Sequence, residues 1–267
     1  MFYKIFFYII NIFPRAKKIC WKIWYNFISK RFKDDEFKLM NYGYFKDNYN
    51  LELDKNDENE RYPIQLYHHV ASQIDLKGLN ILEVGSGRGG GASFIARYHD
   101  PLSVTGIDIS SNSIKLSNDS YDIDNLSFVL GDSENIPFKD NYFDVVINVE
   151  SSHCYPSLTN FISEVTRVLK KDGSFLYCDL LVASTLDTHL VNLSNDKLSL
   201  IKHTDITENI IKASELMTND RRNIISKVNS PLLKKILSAF ASVKGSKIYE
   251  SFVNRHYKYI SSISIKN

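Results

Sequence analysis

Apolar stretches of strand length recur along the middle of the chain, at Asn80 to Val84, Ser103 to Ile107, Ser127 to Leu130, Phe143 to Val149 and Ser174 to Leu180. Between them the spacing of apolar positions predicts helices over about Gly90 to Tyr98, Ser111 to Asn118 and Leu158 to Leu169. Strand and helix in alternation predict an α/β fold, a mainly parallel sheet with helices on both faces. A further helix is read over Tyr62 to Leu76, ahead of the first strand, with Pro63 in its first turn. The helix over Leu158 to Leu169 is expected to end on the cations Lys170 and Lys171, with Gly173 taking a positive φ.

The flanks are less regular. Met1 to Ile12 is nearly all apolar and aromatic, but Lys4 interrupts it and Pro14-Arg15-Ala16-Lys17-Lys18 ends it. It is shorter than the roughly 20 residues of a spanning helix, and it lacks the cleavage site of a signal peptide. Ile19 to Phe32 sets Trp21, Ile23, Trp24, Phe27 and Ile28 among Lys18, Lys22, Lys30 and Arg31, helical spacing with a basic face. Two readings stay open for residues 1–32: peripheral membrane contact, or a helix packed on the core or over the substrate mouth. Lys33 to Glu60 is polar around Asn41-Tyr42-Gly43-Tyr44-Phe45, so residues 1–60 form an N-terminal extension and residues 61–267 the main domain. Asn195 to Phe240 reads as largely helical, a candidate lid or substrate-side insertion, and Tyr257 to Ile265 as a closing strand.

Composition narrows the class only a little. At 267 residues, one α/β domain with extra helices fits better than two domains. A net charge of +2 and the lack of a basic stripe argue against a nucleic-acid partner. Cys20, Cys154 and Cys178 are odd in number without C-x-x-C spacing, which points to a reducing, cytoplasmic compartment and to neither disulfide nor zinc. No metal is expected, and the adjacent His68 and His69 lack the spacing of helical ligands.

The chemistry centres on the glycine-rich turn after Asn80 to Val84, where backbone N–H groups and a helix start face a nucleotide-like ligand. Gly85, Gly87 and Gly89 fit G-x-G-x-G, whereas Gly85, Gly87 and Gly90 fit the dinucleotide fingerprint, with Asp108 where an NAD-binding acid would stand. Glu83 favours a cationic amino-acid moiety there, since a carboxylate would repel a pyrophosphate. Gly131-Asp132-Ser133, with Ile136-Pro137-Phe138, supplies a second acid suited to an adenine amino group. The competing reading of Asp108 and Asp132 is that each caps the helix after it.

With Asp144 opening the fourth strand and Arg167 to Gly173 leading into the fifth, Tyr62 to Leu180 resembles the class I S-adenosylmethionine-dependent methyltransferases. The resemblance implies a Rossmann-like fold with a mainly parallel seven-stranded sheet. It implies that Glu83, Gly85 and Gly87 line the methionine part of the cofactor and that Gly89, Ile109 and Asn148 belong to the same site. Asp108 would hold the ribose hydroxyls, and Asp132 and Ser133 would flank the adenine. Tyr42 and Tyr44 are read as closing over the cofactor; the alternative for them, and for Tyr67, is a core aromatic with a wet tip.

A closer likeness rests on Asn148 to Pro156, Met40 to Tyr44, Arg61 to His68 and Gly89 to Ser93. These segments resemble the mycobacterial phthiotriol and phenolphthiocerol dimycocerosate O-methyltransferases, which implies methyl transfer to a hydroxyl on a lipid, polyketide-like or other hydrophobic small molecule. The turn Gly85-Ser86-Gly87 and the basic aromatic N-terminus depart from that pattern. His153 follows the fourth strand, on the carboxyl edge where ligands bind, and its ordinary pKa near 6.5 suits a base. Asp179 and Glu150, at the ends of the fifth and fourth strands, are candidates to orient the imidazole or touch the acceptor. C-methylation of a quinone or sterol-like ring, with Glu150 as proton acceptor, is the second enzyme reading. Nicotinamide-dependent oxidation and a catalytically silent, membrane-seated binding protein are the others.

Overall fold

Successive strand residues point to opposite faces, so a strand whose apolar residues run on without alternation is buried on both. In β1 (Asn80–Val84) the four residues Ile81, Leu82, Glu83 and Val84 are all buried. β1 pairs in parallel with β2 (Ser103–Asp108) on one side and β4 (Phe143–Val149) on the other. β3 (Leu126–Leu130) lies outside β2; β5 (Leu169–Val182), β7 (Tyr257–Lys266) and β6 (Leu198–Asp205) continue the sheet beyond β4. The order is β3-β2-β1-β4-β5-β7-β6, a seven-stranded sheet in which β7 alone runs opposite to the other strands. The structure is a computed structural model that describes residues 14–31 and 38–267. The reading of Met1 to Ile12, and the stretch from Phe32 to Phe37, lie outside the described residues.

Helices cover both faces. α1 (Pro14–Arg31) precedes α2 (Arg61–Ala71), α3 (Gly90–Tyr98) and α4 (Ser111–Ser120), and the last three pack on one face through Leu66, Val70, Phe94 and Ile114. α5 (Leu158–Val168) and α6 (Leu186–Asn192) take the other face, where Phe161, Ile162 and Val165 meet Phe175 and Tyr177. α7 (Thr207–Leu216), α8 (Thr218–Ser226) and α9 (Pro231–Phe240) follow β6, and α10 (Lys247–Val253) leads into β7. The order of strands reverses between β1 and β4, and in open sheets the carboxyl ends at such a reversal form the ligand crevice.

Three expectations need correction. Asn195 to Phe240 is not helical throughout, because Leu198 to Asp205 forms the edge strand β6 on β7. Its partner lies at the far end of the chain, so no local pattern carries the signal, and a register shift at Leu200/Lys202 breaks the alternation further. The positive φ before the fifth strand belongs to Asp172, at 62°, and Gly173 is instead pressed between the Lys170 and Asp144 carbonyls. β5 already begins at Leu169, which pairs with Phe143, so Lys170 and Lys171 lie within the strand and not at a helix end. Finally, α2 stops at Ala71, short of Leu76.

α2 and α3 approach so closely that a Cβ on Gly91 would fall 2.0 Å from the Tyr67 ring. Replacing Gly91 by Ala therefore forces the ring or the helix to move. We expect G91A to lose about 1–3 kcal/mol, the usual cost of overpacking, read as a lowered denaturation midpoint; an unchanged midpoint would mean that the α2–α3 contact yields freely.

Candidate active site

Between the carboxyl ends of β1 and β4 lies a cavity lined by the glycine turn, the ends of β2 and β3, and the turn after β4. Gly85, Gly87, Asp108, Ile109, Asp132, Ser133 and Glu150 all contribute to its wall. The sheet brings these sequence-distant residues together because parallel neighbours all deliver their following loops to one edge. Gly85 takes φ +78°, and a Cβ there would meet Ser151 Oγ at 2.4 Å and the Tyr155 hydroxyl at 2.6 Å. Only glycine lets β1 turn this close to the loop after β4. Gly89 is the residue ahead of α3 and abuts Phe128, so it shapes the turn without facing the cavity.

Glu83 is fully buried just behind this wall. Its Oε1 accepts the Tyr67 hydroxyl at 2.7 Å, while Oε2 has no partner among the described residues. Burial pushes its carboxyl up to about 7 despite the Tyr67 hydrogen bond. Asp108 accepts Gly87 N–H at 3.0 Å and Ser110 N–H at 2.8 Å, and burial raises it to about 6. It does not cap α4, whose first turn is held by Ser110 Oγ, and Asp132 closes a turn through Glu134 N–H without capping a helix. Asn148 Nδ2 lies 2.9 Å from the Val84 carbonyl and 2.7 Å from Ser151 Oγ; its Oδ1 is buried without a partner among the described residues. A bare glycine cradle, an orphaned carboxylate oxygen and an orphaned amide oxygen fit a ligand that is polar and carries an ammonium group.

The two tyrosines expected over the cofactor do not line the cavity. Tyr44 stacks on His69 with ring centroids 4.4 Å apart, in the core. Tyr42 sets its ring against Phe252 and gives its N–H to Glu150 Oε1 at 2.7 Å. Gly43 separates them because Met217 presses on the backbone there, not because the segment closes on a ligand. Tyr67 lines the wall instead, and the extra glycine at Gly91 was its signal, since a helix start without a Cβ admits a ring.

α1 supplies the part of the wall that sequence reasoning left open. Lys18, Trp21 and Tyr25 line the cavity, so the helix lies over the mouth. Lys18 pairs with Asp132, Lys17 Nζ donates to the Tyr155 carbonyl at 2.8 Å, and Ser29 meets Ser113 at 2.8 Å. Trp21 stands edge-on to both His153 and Phe240, at 6.4 and 6.3 Å.

His153 and Asp179 meet at the same edge. His153 Nδ1 lies 2.8 Å from Asp179 Oδ1, the imidazole 32% exposed and the carboxylate fully buried. A carboxylate can only accept, so Nδ1 carries the hydrogen and Nε2 keeps the lone pair in the neutral ring. Burial opposes the imidazolium, but the Cys154 and Asp179 groups facing it outweigh that and hold His153 well above its ordinary value. Burial likewise opposes the Asp179 charge, and His153 with the Ser152 hydroxyl keeps the carboxyl below its usual range. Glu150 does not orient the imidazole. Its φ is 47°, its Oε1 is taken by Tyr42 N–H and the Tyr259 hydroxyl, and burial raises it to about 7.

Because Glu83 gains its charge as pH rises through about 7, a ligand ammonium should bind more tightly above that pH than below it. Calorimetric titration with S-adenosylhomocysteine should show this slope, and Glu83→Gln should flatten it and weaken binding tenfold or more, about 1.4 kcal/mol. Equal affinity in the Gln variant would separate Glu83 from the ligand.

A methyltransferase-domain family model matches residues 82–177. The chain is 35% identical over 232 residues to the phthiotriol/phenolphthiotriol dimycocerosates methyltransferase of Mycobacterium leprae, covering 86% of each chain. It is 35% identical over 236 residues to the fatty-acid O-methyltransferase of Mycolicibacterium smegmatis, covering 88% of this chain and 85% of that one. The geranyl diphosphate C-methyltransferase of Streptomyces coelicolor, solved with S-adenosyl-L-homocysteine, superposes with a TM-score of 0.64 at 16% identity over 91% of this chain and 98% of that one, a likeness of fold. With S-adenosylmethionine as its cofactor, the chain therefore belongs to the class I methyltransferase family, among the enzymes related to the phthiotriol/phenolphthiotriol dimycocerosates methyltransferases.

Proposed function

We propose that this enzyme methylates a hydroxyl on a long hydrophobic acceptor, with His153 as the base. The observation that carries the reading is the His153–Asp179 contact at 2.8 Å beside the Trp21 ring, which Phe240 backs. The relatives at 35% identity are named for fatty acids and for phthiotriol dimycocerosates, and such acceptors suit a mouth roofed by aromatic rings.

The cofactor, when bound, supplies an electrophilic methyl. The chain's own tasks are to hold the partners and to take a proton. Gly85, Gly87, Asp108, Ile109 and Ser133 line the cofactor's place, with Glu83 and Asn148 behind the wall offering an oxygen each. Neutral His153 takes the hydroxyl proton at Nε2, and Asp179 stabilises the imidazolium that forms. Ordering of the reactants is worth about 7–11 kcal/mol and a base about 10²–10⁴-fold, so a variant without the base keeps residual turnover.

His153→Ala should lower kcat by about 10²–10⁴-fold with S-adenosylhomocysteine affinity little changed. The wild-type rate should rise as pH climbs through the raised pKa of His153, since only the neutral ring accepts a proton. Both are read by following a methylated product by mass spectrometry, with NMR placing the methyl. A carbon-bound methyl, or full turnover in the Ala variant, would refute the assignment.

The outer face of α1 bears on how such an acceptor arrives. Ile19, Ile23 and Phe27 recur at helical spacing with 57%, 63% and 46% exposure, and the exposed Lys22 and Lys30 flank them. We infer that this stripe rests on an anionic bilayer, its cations meeting headgroups and its apolar residues the acyl boundary. Cosedimentation with phosphatidylglycerol vesicles should be strong for the full chain, weak with phosphatidylcholine alone, and lost in Ile19→Asp/Ile23→Asp. Binding that is indifferent to the double substitution would remove α1 from that role.

A further inference from the structure

Asp179 is saturated with donors. Its Oδ1 faces His153 Nδ1 and Leu180 N–H, each at 2.8 Å, and its Oδ2 accepts His153 N–H at 3.0 Å and the Ser152 hydroxyl at 2.7 Å. The contacts continue away from the cavity. Ser152 Oγ lies 2.9 Å from the Tyr177 hydroxyl, and that hydroxyl lies 2.8 Å from His189 Nε2 in α6. Tyr177 and Asp179 are two apart on β5, so both point to the face that α5 and α6 cover.

Counting hydrogens gives this chain one direction. An ionised carboxylate only accepts, so the single Ser152 hydrogen points at Asp179. The Ser152 oxygen is then left to accept, and the Tyr177 hydrogen points at Ser152. The Tyr177 oxygen accepts in turn, which requires His189 to carry its hydrogen on Nε2. Burial holds His189 below its ordinary pKa, so the ring is neutral and this hydrogen fixes its tautomer. Tyr177 is fully buried among Phe161 and Phe175, where a Phe would pack as well. A hydroxyl there costs stability unless it is bonded at both ends, as this one is.

We propose that Ser152, Tyr177 and His189 form a positioning arm, polarised toward Asp179, that sets the proton affinity of His153 from beneath α6. The proposal rests on the reading of His153 as the base. None of the three reaches the reacting atoms; each acts through the carboxylate. Every donor drawn to Oδ2 takes charge away from Oδ1, so removing one strengthens the pull of Oδ1 on the imidazolium. The other groups that face His153 are Cys154 beside it, Glu150 ahead of it, and Lys17 of α1, which is close to Cys154 and Asp179. Substitution at Tyr177 or His189 leaves all of them in place.

The test is an NMR titration of the His153 ring in the full-length protein labelled with ¹³C-histidine. Tyr177→Phe and His189→Leu should raise its midpoint by about half a pH unit, and Ser152→Ala by more. His189→Gln, which restores an N–H donor near the place of Nε2, should return the midpoint toward wild type. The acid limb of kcat should shift in the same direction, with KM for the acceptor unmoved. A midpoint unchanged in Tyr177→Phe and His189→Leu would reduce the arm to packing, and a Gln variant matching the Leu variant would remove the donor role of His189. The titration needs no turnover, so it decides the arm even if His153→Ala shows that another group is the base.

Discussion

The site depends on the parallel pairing of β1 with β4, which sets Glu83 beside Ile147 and brings the loops after both strands to one edge. Asn148 locks that seam. Its amide nitrogen reaches the Val84 carbonyl, Ser151 Oγ and the Tyr155 hydroxyl, and Ser151 Oγ bonds the same Val84 carbonyl, so the end of β1 and the turn bearing His153 are tied together. A slip of one residue in this pairing would reverse the faces of β4 and carry Asn148 away from Val84. The cavity wall and the turn that carries His153 are thus registered to each other by strand pairing.

Charge is distributed unevenly around that seam, and the unevenness has a physical cause. Glu83, Asp108, Glu150 and Asp179 are all carboxyls close to the carboxyl edge of the sheet. Burial raises the first three to about 7, 6 and 7, whereas Asp179 stays below its usual range because it faces an imidazole and several donors. Desolvation wins where the partners are neutral hydroxyls and amides, and loses where a cation stands opposite. Glu83 is therefore a carboxylate that gains from an arriving ammonium, while Asp179 already has its cation within the fold. One edge thus holds both a carboxyl still open to a cation and a carboxylate already paired with one.

Much of this was legible in the sequence, for a reason that can be stated residue by residue. β1 and β4 were read to the residue because both are apolar on two faces and bounded by Gly85 and Glu150, so local pattern and burial agree. Asp108 and Asp132 line the cavity, as loops after parallel strands that share one edge should, and His153 stands in the turn after β4 without lining it. Tyr42 and Tyr44 were misread because a glycine between aromatics says that the backbone is crowded without saying by what; the crowding residue is Met217, more than a hundred and seventy positions away. β6 escaped because the strand it pairs with among the described residues, β7, lies far along the chain. The pairing of His153 with Asp179 and not Glu150 hinged on Glu150 taking φ 47°, a turn that sends its carboxylate to Tyr42 and Tyr259.

The cover over the site comes from both ends of the domain, and that follows from the topology. The sheet edge supplies a floor and a wall. α1, ahead of the sheet, and α7 to α9, inserted between β6 and β7, close the gap together: Trp24 and Ile28 meet Val228, Leu233 and Leu237, and Arg221 bonds the carbonyls of Asn41 and Ala241. A roof built from two additions takes no part in the β1–β4 pairing that shapes the floor. Trp21 and Phe240, one from each addition, meet edge-on, and the Trp21 ring stands against His153.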